Sequence, residues 1–185
     1  MKTQVLLLLT LVTAIVVLAQ PQETTAPPTQ TPPASSAKRQ VSGPDAVWLS
    51  ISPNQQHVVL TAADLKQLPR KTNVVHNPHS NTDERYEGVL LADLLTKYGA
   101  PLGKDLRGPA LANYVVATGA DGYKVVYSLA ELDPGFHPGD VIIADTMEGK
   151  PLDAHTGPFR LVSTEDKRPA RGVRNLVSIE LRSAP

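Results

Sequence analysis

Hydrophobic and polar residues alternate along short stretches of the chain from about residue 45 onward, and turn residues separate these stretches. Alternation with a period of two predicts β-strands that bury one face. In the last of these stretches, Val177, Ile179 and Leu181 are predicted to share one face. The predicted strands are 46–51, 57–60, 72–76, 114–118, 123–127, 159–162 and 175–181.

Three short helices are predicted between the strands. Thr61 caps the first helix, because it stands three residues before Asp64 in the arrangement of a capping box. The second helix is predicted at 90–98 and the third is a single capped turn at 128–132. Many short strands with a few short helices predict an α+β fold with a mixed β-sheet.

The stretch from Val141 to Val162 organises the second half of this domain. It opens with Val141–Ala144, an apolar and mostly β-branched run that is too short for a helix and predicts a buried strand. Turn residues follow at 148–151, and a second tight bend begins at His155. Arg160 then lies on the strand that returns from this loop.

The first 44 residues differ in composition from the rest of the chain. Residues 1–19 have a charged start, an apolar centre and small residues before a cleavage point, which predicts a signal peptide. Residues 20–44 are rich in Pro, Thr and Ser and predict a disordered linker. The folded domain is predicted at 45–185. We expect a secreted or periplasmic protein with no membrane span after cleavage; the alternative is that the first segment stays as an uncleaved anchor.

Charge and cysteine content exclude several classes of function. The 18 basic and 18 acidic residues balance, so there is no electrostatic basis for binding nucleic acid. The chain contains no cysteine, which excludes disulfide bonds and thiol nucleophiles. A G-x-S-x-G motif of serine hydrolases is also absent from the sequence.

Three motifs follow one another in the second half of the domain: Met147–Leu152, His155–Pro158 and Phe159–Val162. In order and spacing they resemble the molybdopterin-binding domain of the sulfite oxidase family, which has M-x-G-x-P-L, H-x-G-P and an aliphatic–Arg–aliphatic strand. The resemblance implies the α+β fold of that family. Further segments that resemble the family are 60–69, 86–95, 121–123 and 171–175.

The resemblance implies a molybdopterin cofactor, yet the chain lacks the cysteine that binds the metal in catalytic members. Thiolate is a soft ligand that oxygen and nitrogen side chains do not reproduce. The family's cysteine would fall near His76 or Asn77. Exported members that carry the cofactor need a twin-Arg signal, and no Arg-Arg pair precedes the apolar run here. We therefore expect molybdopterin to be absent.

The resemblance also implies which residues would surround the cofactor. The pterin phosphate requires basic groups, and those implied are His155, Arg160, Arg171 and Arg174. Tyr123 corresponds loosely to a tyrosine that approaches the metal in catalytic members. In the alternative interpretation, Arg171 and Arg174 are solvated loop charges. His155 would then be bonded to the backbone of its turn, and Tyr123 would be an ordinary hairpin aromatic residue.

One local cluster has the residue types of a metal site. His76 and His79 flank Pro78 at the start of a polar loop predicted at 77–84, and carboxylates follow. Zinc or copper would accept two imidazoles and a carboxylate. The alternative is that this segment is only a polar loop.

These observations leave three hypotheses for function. The favoured one is an exported module with the molybdopterin-binding fold that binds an anionic small molecule or a protein partner and performs no molybdenum catalysis. The second is a molybdopterin-dependent oxidoreductase that transfers oxygen atoms or electrons. The third is a divalent-metal protein that uses the loop of His76 and His79.

Overall fold

The structure, a computed structural model, describes residues 46–51 and 56–185. The signal peptide and linker predicted at 1–19 and 20–44 lie outside these residues and stay predictions. Within the described ranges the chain forms two β-sheets with short helices, so the α+β prediction is confirmed. No helix in this part of the chain is long and apolar enough to span a membrane.

Ten strands account for most of the regular structure of the described residues. In chain order they are β1 (Ala46–Ile51), β2 (Gln56–Thr61), β3 (Arg70–Asn77), β4 (Thr82–Leu90), β5 (Asn113–Gly119), β6 (Lys124–Ser128), β7 (Val141–Met147), β8 (Lys150–Pro151), β9 (Arg160–Ser163) and β10 (Leu176–Ser183).

The first sheet has the strand order β2-β1-β10-β5-β6. Strands β1 and β10 are parallel and the other neighbours are antiparallel, so this sheet is mixed as predicted. The second sheet is antiparallel, with β4 between β3 and β7, and with β8 and β9 along the other edge of β7. The return strand predicted in the 141–162 stretch is present as β9, which lies beside the buried strand β7.

The helices are short, and two of them begin with side-chain capping hydrogen bonds. The predicted capping box at Thr61 is present, since its side chain accepts from the backbone of Asp64 and the Asp64 carboxylate accepts from the backbone of Thr61. Ser128 and Glu131 form a second capping box. The helices are α1 (Ala62–Lys66), α2 (Leu91–Lys97), α3 (Leu129–Leu132) and the 3-10 helices Gly103–Asp105, Gly108–Ala112 and Pro169–Arg171.

The hydrophobic core forms where both sheets and helix α2 meet. It includes Val115 and Ile179 of the first sheet, Val89 and Ile143 of the second sheet, and Leu94 of α2. A smaller cluster lies on the other face of the second sheet and contains Tyr86, Ile142, Ala144 and Val162. Strand β7 is thus buried on both faces, which is why its sequence is a continuous apolar run instead of an alternating one.

The last strand departs from the predicted pattern at one position. Ile179 and Leu181 are buried, but Val177 is 38% exposed, so these three residues do not share a buried face. The pairing of β10 with β5 shifts register between Leu176 and Ser178. A bulge of this kind inserts one residue and reverses the facing of those before it, so Leu176 is buried in place of Val177.

The polar loop predicted at 77–84 is shorter than expected. Strand β3 continues to Asn77 and β4 already begins at Thr82, which pairs with Asn77. Only residues 78–81 remain as the connecting turn, and Asn81 has a positive φ of 54° there. The loop prediction was therefore wrong in extent, because a hairpin partner stabilises polar residues in strands that their own sequence does not favour.

Candidate functional site

An open cleft of about 760 Å³ lies beside the smaller core cluster of the second sheet. Its walls come from the end of β3, from β4 and β9, from the turn between β5 and β6, and from the loop that precedes β10. Of the residues predicted to form a site, Arg160, Arg174, Tyr123, His76 and His79 line this cleft. The fold therefore brings together residues that are up to 98 positions apart by their numbering.

Arg160 is the basic residue most firmly built into the cleft. Its guanidinium lies over the ring of Tyr86, 5.0 Å from the centroid, and Nη1 donates to the Tyr86 hydroxyl at 2.5 Å. Its Nε is buried and has no hydrogen-bond acceptor among the described residues. Buried donors are nearly always paired in folded proteins, so an unpaired guanidinium donor beside a cleft is a group that a ligand oxygen would satisfy.

A carboxylate network lies next to Arg160. Glu84 accepts from the side-chain amide of Asn77 at 2.6 Å and from the Tyr86 hydroxyl at 2.6 Å. Burial opposes ionisation of Glu84, but these two hydrogen bonds and the charges of Arg160 and Arg174 hold its pKa below the usual value. Burial and the bond to Glu84 raise the pKa of Tyr86 to about 12. The cleft therefore contains a fixed negative charge among its cations.

Arg174 and His155 lie in contact at one corner of the site. Nη1 of Arg174 is 3.1 Å from Nε2 of His155. Because a guanidinium only donates, Nε2 of His155 is the acceptor in this bond. The His155 backbone also accepts from Asn175 and donates to Asp153, which keeps the bend in place. His155 thus reaches the cleft through Arg174 instead of lining it directly.

Arg171 lies outside the cleft lining. Its guanidinium donates to Asp166 at 2.6 Å and to Glu131 at 2.6 Å, and it packs 4.4 Å from the centroid of the Tyr127 ring. The hydrogen bond to Asp166 is the main cause of the raised pKa of Arg171. Its charge is therefore already matched by two carboxylates, and the structure does not bring Arg171 together with Arg160 and Arg174.

Tyr123 closes one side of the cleft. Its ring is 47% exposed, and its hydroxyl donates to the backbone carbonyl of Ala170 at 2.5 Å. This bond ties the turn between β5 and β6 to the 3-10 helix at 169–171. The hydroxyl proton of Tyr123 is therefore engaged with the backbone.

His76 and His79 lie at the mouth of the cleft but do not converge with other ligands. Nδ1 of His76 is 2.9 Å from Asp83, its partner across the hairpin. His79 is fixed through its backbone, which donates to the side chain of Asn77. Among the residues that the structure describes, no three His, Asp or Glu side chains are placed to hold a metal ion.

Sequence reasoning missed Tyr86, Lys167 and Arg168, which line the cleft, and it considered Glu84 only as a carboxylate of the possible metal loop. Glu84 and Tyr86 are two positions apart on β4, so they point to the same face of the strand. The assignment of Glu84 to a loop hid this pattern. Recognition of the hairpin between β3 and β4 would have revealed it.

The cleft fits the phosphate group of the implied cofactor but does not fit its metal. Arg160, Arg174, Lys167 and Arg168 supply the positive charge that a phosphate group requires. The metal-binding thiolate has no counterpart, because the sequence has no cysteine and Asn77, near its implied place, is bonded to Glu84. The side chains present therefore do not fit the thiolate-bound molybdenum.

Comparisons with known proteins agree with the fold. A family model described as "Oxidoreductase molybdopterin binding domain" matches residues 39–185. The crystal structure of the sulfane dehydrogenase SoxCD from Paracoccus pantotrophus is similar, with a TM-score of 0.58 and 18% identity. The similarity covers 76% of this chain but only 38% of that protein, and at this identity it concerns the fold alone. No curated protein sequence matches the chain.

Proposed function

Because the chain belongs to the oxidoreductase molybdopterin-binding domain family, we propose that its cleft binds a small molecule with a phosphate-like anionic group and performs no molybdenum chemistry. The observation that carries this proposal is Arg160, which lines the open cleft and whose buried Nε has no acceptor among the described residues. A phosphate oxygen is the type of acceptor that this donor and its guanidinium favour.

The other charges of the cleft support an anionic ligand. Arg174, Lys167 and Arg168 line it, and within the part of the chain that the structure describes none of them forms an ion pair with a carboxylate. Glu84 and Asp121 supply two negative charges to the lining, and the charge of Asp166 is matched by Arg171, against the four cations Arg160, Arg174, Lys167 and Arg168. The cationic side chains of the cleft therefore outnumber its unpaired carboxylates, and a negatively charged ligand would balance this excess of positive charge.

The absence of a cysteine supports the second half of the proposal. A molybdenum centre of this family without its protein thiolate would lose a ligand that neither His76 nor Asn77 replaces chemically. We also propose that the protein works in a secreted or periplasmic location, on the basis of the signal-like residues 1–19.

Binding of ethyl phosphate to the full chain, measured by isothermal titration calorimetry, tests the anion site. Arg160→Gln should weaken binding at least about tenfold, since a hydrogen bond to a charged group contributes roughly 1.5–3 kcal/mol. Arg160→Lys keeps the positive charge but loses the Nε donor. Its affinity for ethyl phosphate should therefore lie between those of the parent protein and Arg160→Gln.

Arg107→Gln is the matched control, because Arg107 is exposed and lies outside the cleft lining. It should bind ethyl phosphate as the parent does. Lack of binding by the parent protein would contradict the proposal. So would equal affinities of Arg160→Gln and Arg107→Gln when both variants have the thermal stability of the parent.

Elemental analysis and mass spectrometry of protein recovered from its native compartment test the absence of molybdenum chemistry. We expect no molybdenum and no pterin, because the chain offers no thiolate to the metal. Stoichiometric molybdenum would overturn this part of the proposal. It would favour the alternative of a molybdopterin-dependent oxidoreductase, which the family assignment supports.

A further inference from the structure

We infer that Glu84 makes the cleft selective for ligands whose phosphate-like group carries an amine-bearing or neutral tail, and that it rejects ligands that bring a second negative charge. This inference rests on the proposed anion site and names the chemical class of its ligand. Glu84 lies in the lining of the cleft and is close enough to Arg160 and Arg174 to interact with both electrostatically.

The hydrogen bonds around Glu84 favour its ionised form. The backbone N–H of His79 donates to Oδ1 of Asn77, so the Asn77 amide nitrogen is the atom that faces Glu84 and donates to Oε1. On the other side, Nη1 of Arg160 can only donate, so the Tyr86 oxygen accepts from it and the Tyr86 O–H donates a hydrogen bond to Oε2. Both carboxylate oxygens therefore accept a hydrogen bond, which stabilises the charged form of Glu84.

The same bonds hold the carboxylate in place. Glu84 is anchored at one oxygen by Asn77 of strand β3 and at the other by Tyr86 of its own strand β4. The two bonds favour the charged carboxylate over the protonated one, and rotation of the side chain would cost both bonds. A ligand that approaches Arg160 therefore meets a negative charge that neither turns away nor takes up a proton readily.

The distances place this charge within reach of a small ligand. Nη1 of Arg160 and Oε2 of Glu84 both bond to the Tyr86 oxygen, at 2.5 and 2.6 Å. Two hydrogen bonds in series span about 5 Å at most. A ligand phosphate on Arg160 therefore has its tail close to the carboxylate, where an ammonium group would be attracted and a carboxylate repelled.

Three phosphate monoesters with two-carbon tails test this inference by isothermal titration calorimetry. They are 2-aminoethyl phosphate with a cationic tail, ethyl phosphate with a neutral tail, and phosphoglycolate with an anionic tail. The parent protein should bind them in that order, with at least about tenfold between the first and the last, since juxtaposed like charges cost several kcal/mol. In Glu84→Gln this difference should shrink to about threefold or less.

Asp93→Asn removes a carboxylate from helix α2, outside the cleft lining, and should leave the order and spacing of the three affinities unchanged. Failure of all three esters to bind the parent would overturn the proposed function itself. Equal affinities of the parent for the three would overturn only the role of Glu84. The same would follow if Glu84→Gln, with the thermal stability of the parent, kept the full preference.

Discussion

Replacing Gly88 by alanine should remove most of the stability of the domain. Gly88 lies on β4 opposite Ala144 of β7, next to a shift in their register. A Cβ atom at Gly88 would lie 2.1 Å from the carbonyl oxygen of Ile143 and 2.7 Å from the Cα of Ala144. Both are backbone atoms, so no side-chain rotation relieves the overlap and the two central strands of the second sheet would have to separate.

We expect Gly88→Ala to lower the free energy of unfolding by at least about 3 kcal/mol, the upper end of the range for overpacking a core. Urea denaturation followed by circular dichroism measures this. Gly108→Ala is the control, because an added Cβ there meets no atom within 4 Å. Its positive φ of 54° alone should cost about 1–2 kcal/mol. Equal midpoints for Gly88→Ala and the parent would contradict the overlap.

The consequence of Gly88→Ala extends to the cleft. Gly88 is two residues from Tyr86, whose hydroxyl joins Arg160 to Glu84. A shift of β4 away from β7 would displace this hydroxyl relative to β9, which pairs with β7. Any of the Gly88→Ala protein that remains folded should therefore also bind ethyl phosphate more weakly than Gly108→Ala does.

The parts of the fold that local sequence determines were predicted correctly. The capping box at Thr61 needs only the residue three positions on, and the hairpin between β5 and β6 needs only its turn. The apolar run at Val141–Ala144 indicated burial, and the reason is visible in the structure, where β7 is covered on both faces.

The parts that were missed depend on partners distant in the chain. The exposure of Val177 comes from a bulge that is set by pairing with β5, more than fifty residues earlier by the numbering. The strand positions of Asp83 and Glu84 come from pairing with β3, and neither residue favours a strand by itself. A period of two along a single segment contains no information about such register shifts.

The residues of the candidate site also divide into those that lie together, as the sequence motifs indicated, and those whose position depends on partners distant in the chain. Arg160, Arg174 and Tyr123 were selected by motif, and the fold places them around one cleft. Arg171 was selected with them, but its guanidinium is bonded to Asp166 and Glu131 and does not line that cleft. The spacing of basic residues in a loop does not reveal which of them already has a carboxylate partner, so side-chain pairing had to be read from the structure.

Removing the Asp145 carboxylate should produce the second large loss of stability. Asp145 of β7 is 8% exposed and accepts two hydrogen bonds from Arg70 of β3, at 2.5 and 2.8 Å. This bidentate pair bridges β3 and β7 across the intervening strand β4. Removing one partner of a buried ion pair costs about 3–5 kcal/mol, because the remaining charge stays desolvated.

We expect Asp145→Asn to lower the free energy of unfolding by about 3 kcal/mol, the lower end of that range. The reason is that the Arg70 side chain is 23% exposed and keeps a second partner in Glu87. Urea denaturation at neutral pH measures the loss. Lys71→Gln is the control, because Lys71 lies next to Arg70 on β3 and forms an ion pair with Asp140. The Lys71 side chain in this pair is 44% exposed. An exposed pair contributes at most about 1 kcal/mol, so comparable losses in the two variants would contradict a buried, stabilising Asp145.

The pH dependence of this loss identifies the ionised carboxylate as its source. Burial alone would raise the pKa of Asp145, but the hydrogen bonds from Arg70 and Thr146 outweigh it and hold the pKa below the ordinary value of 3.8. Folding then favours the ionised form, so its contribution is complete well above 3.8 and is lost as the pH falls through the lowered pKa. The stability difference between the parent and Asp145→Asn should therefore shrink between about pH 6 and about pH 3. A difference that stayed constant over this interval would show that shape, and not charge, makes Asp145 stabilising.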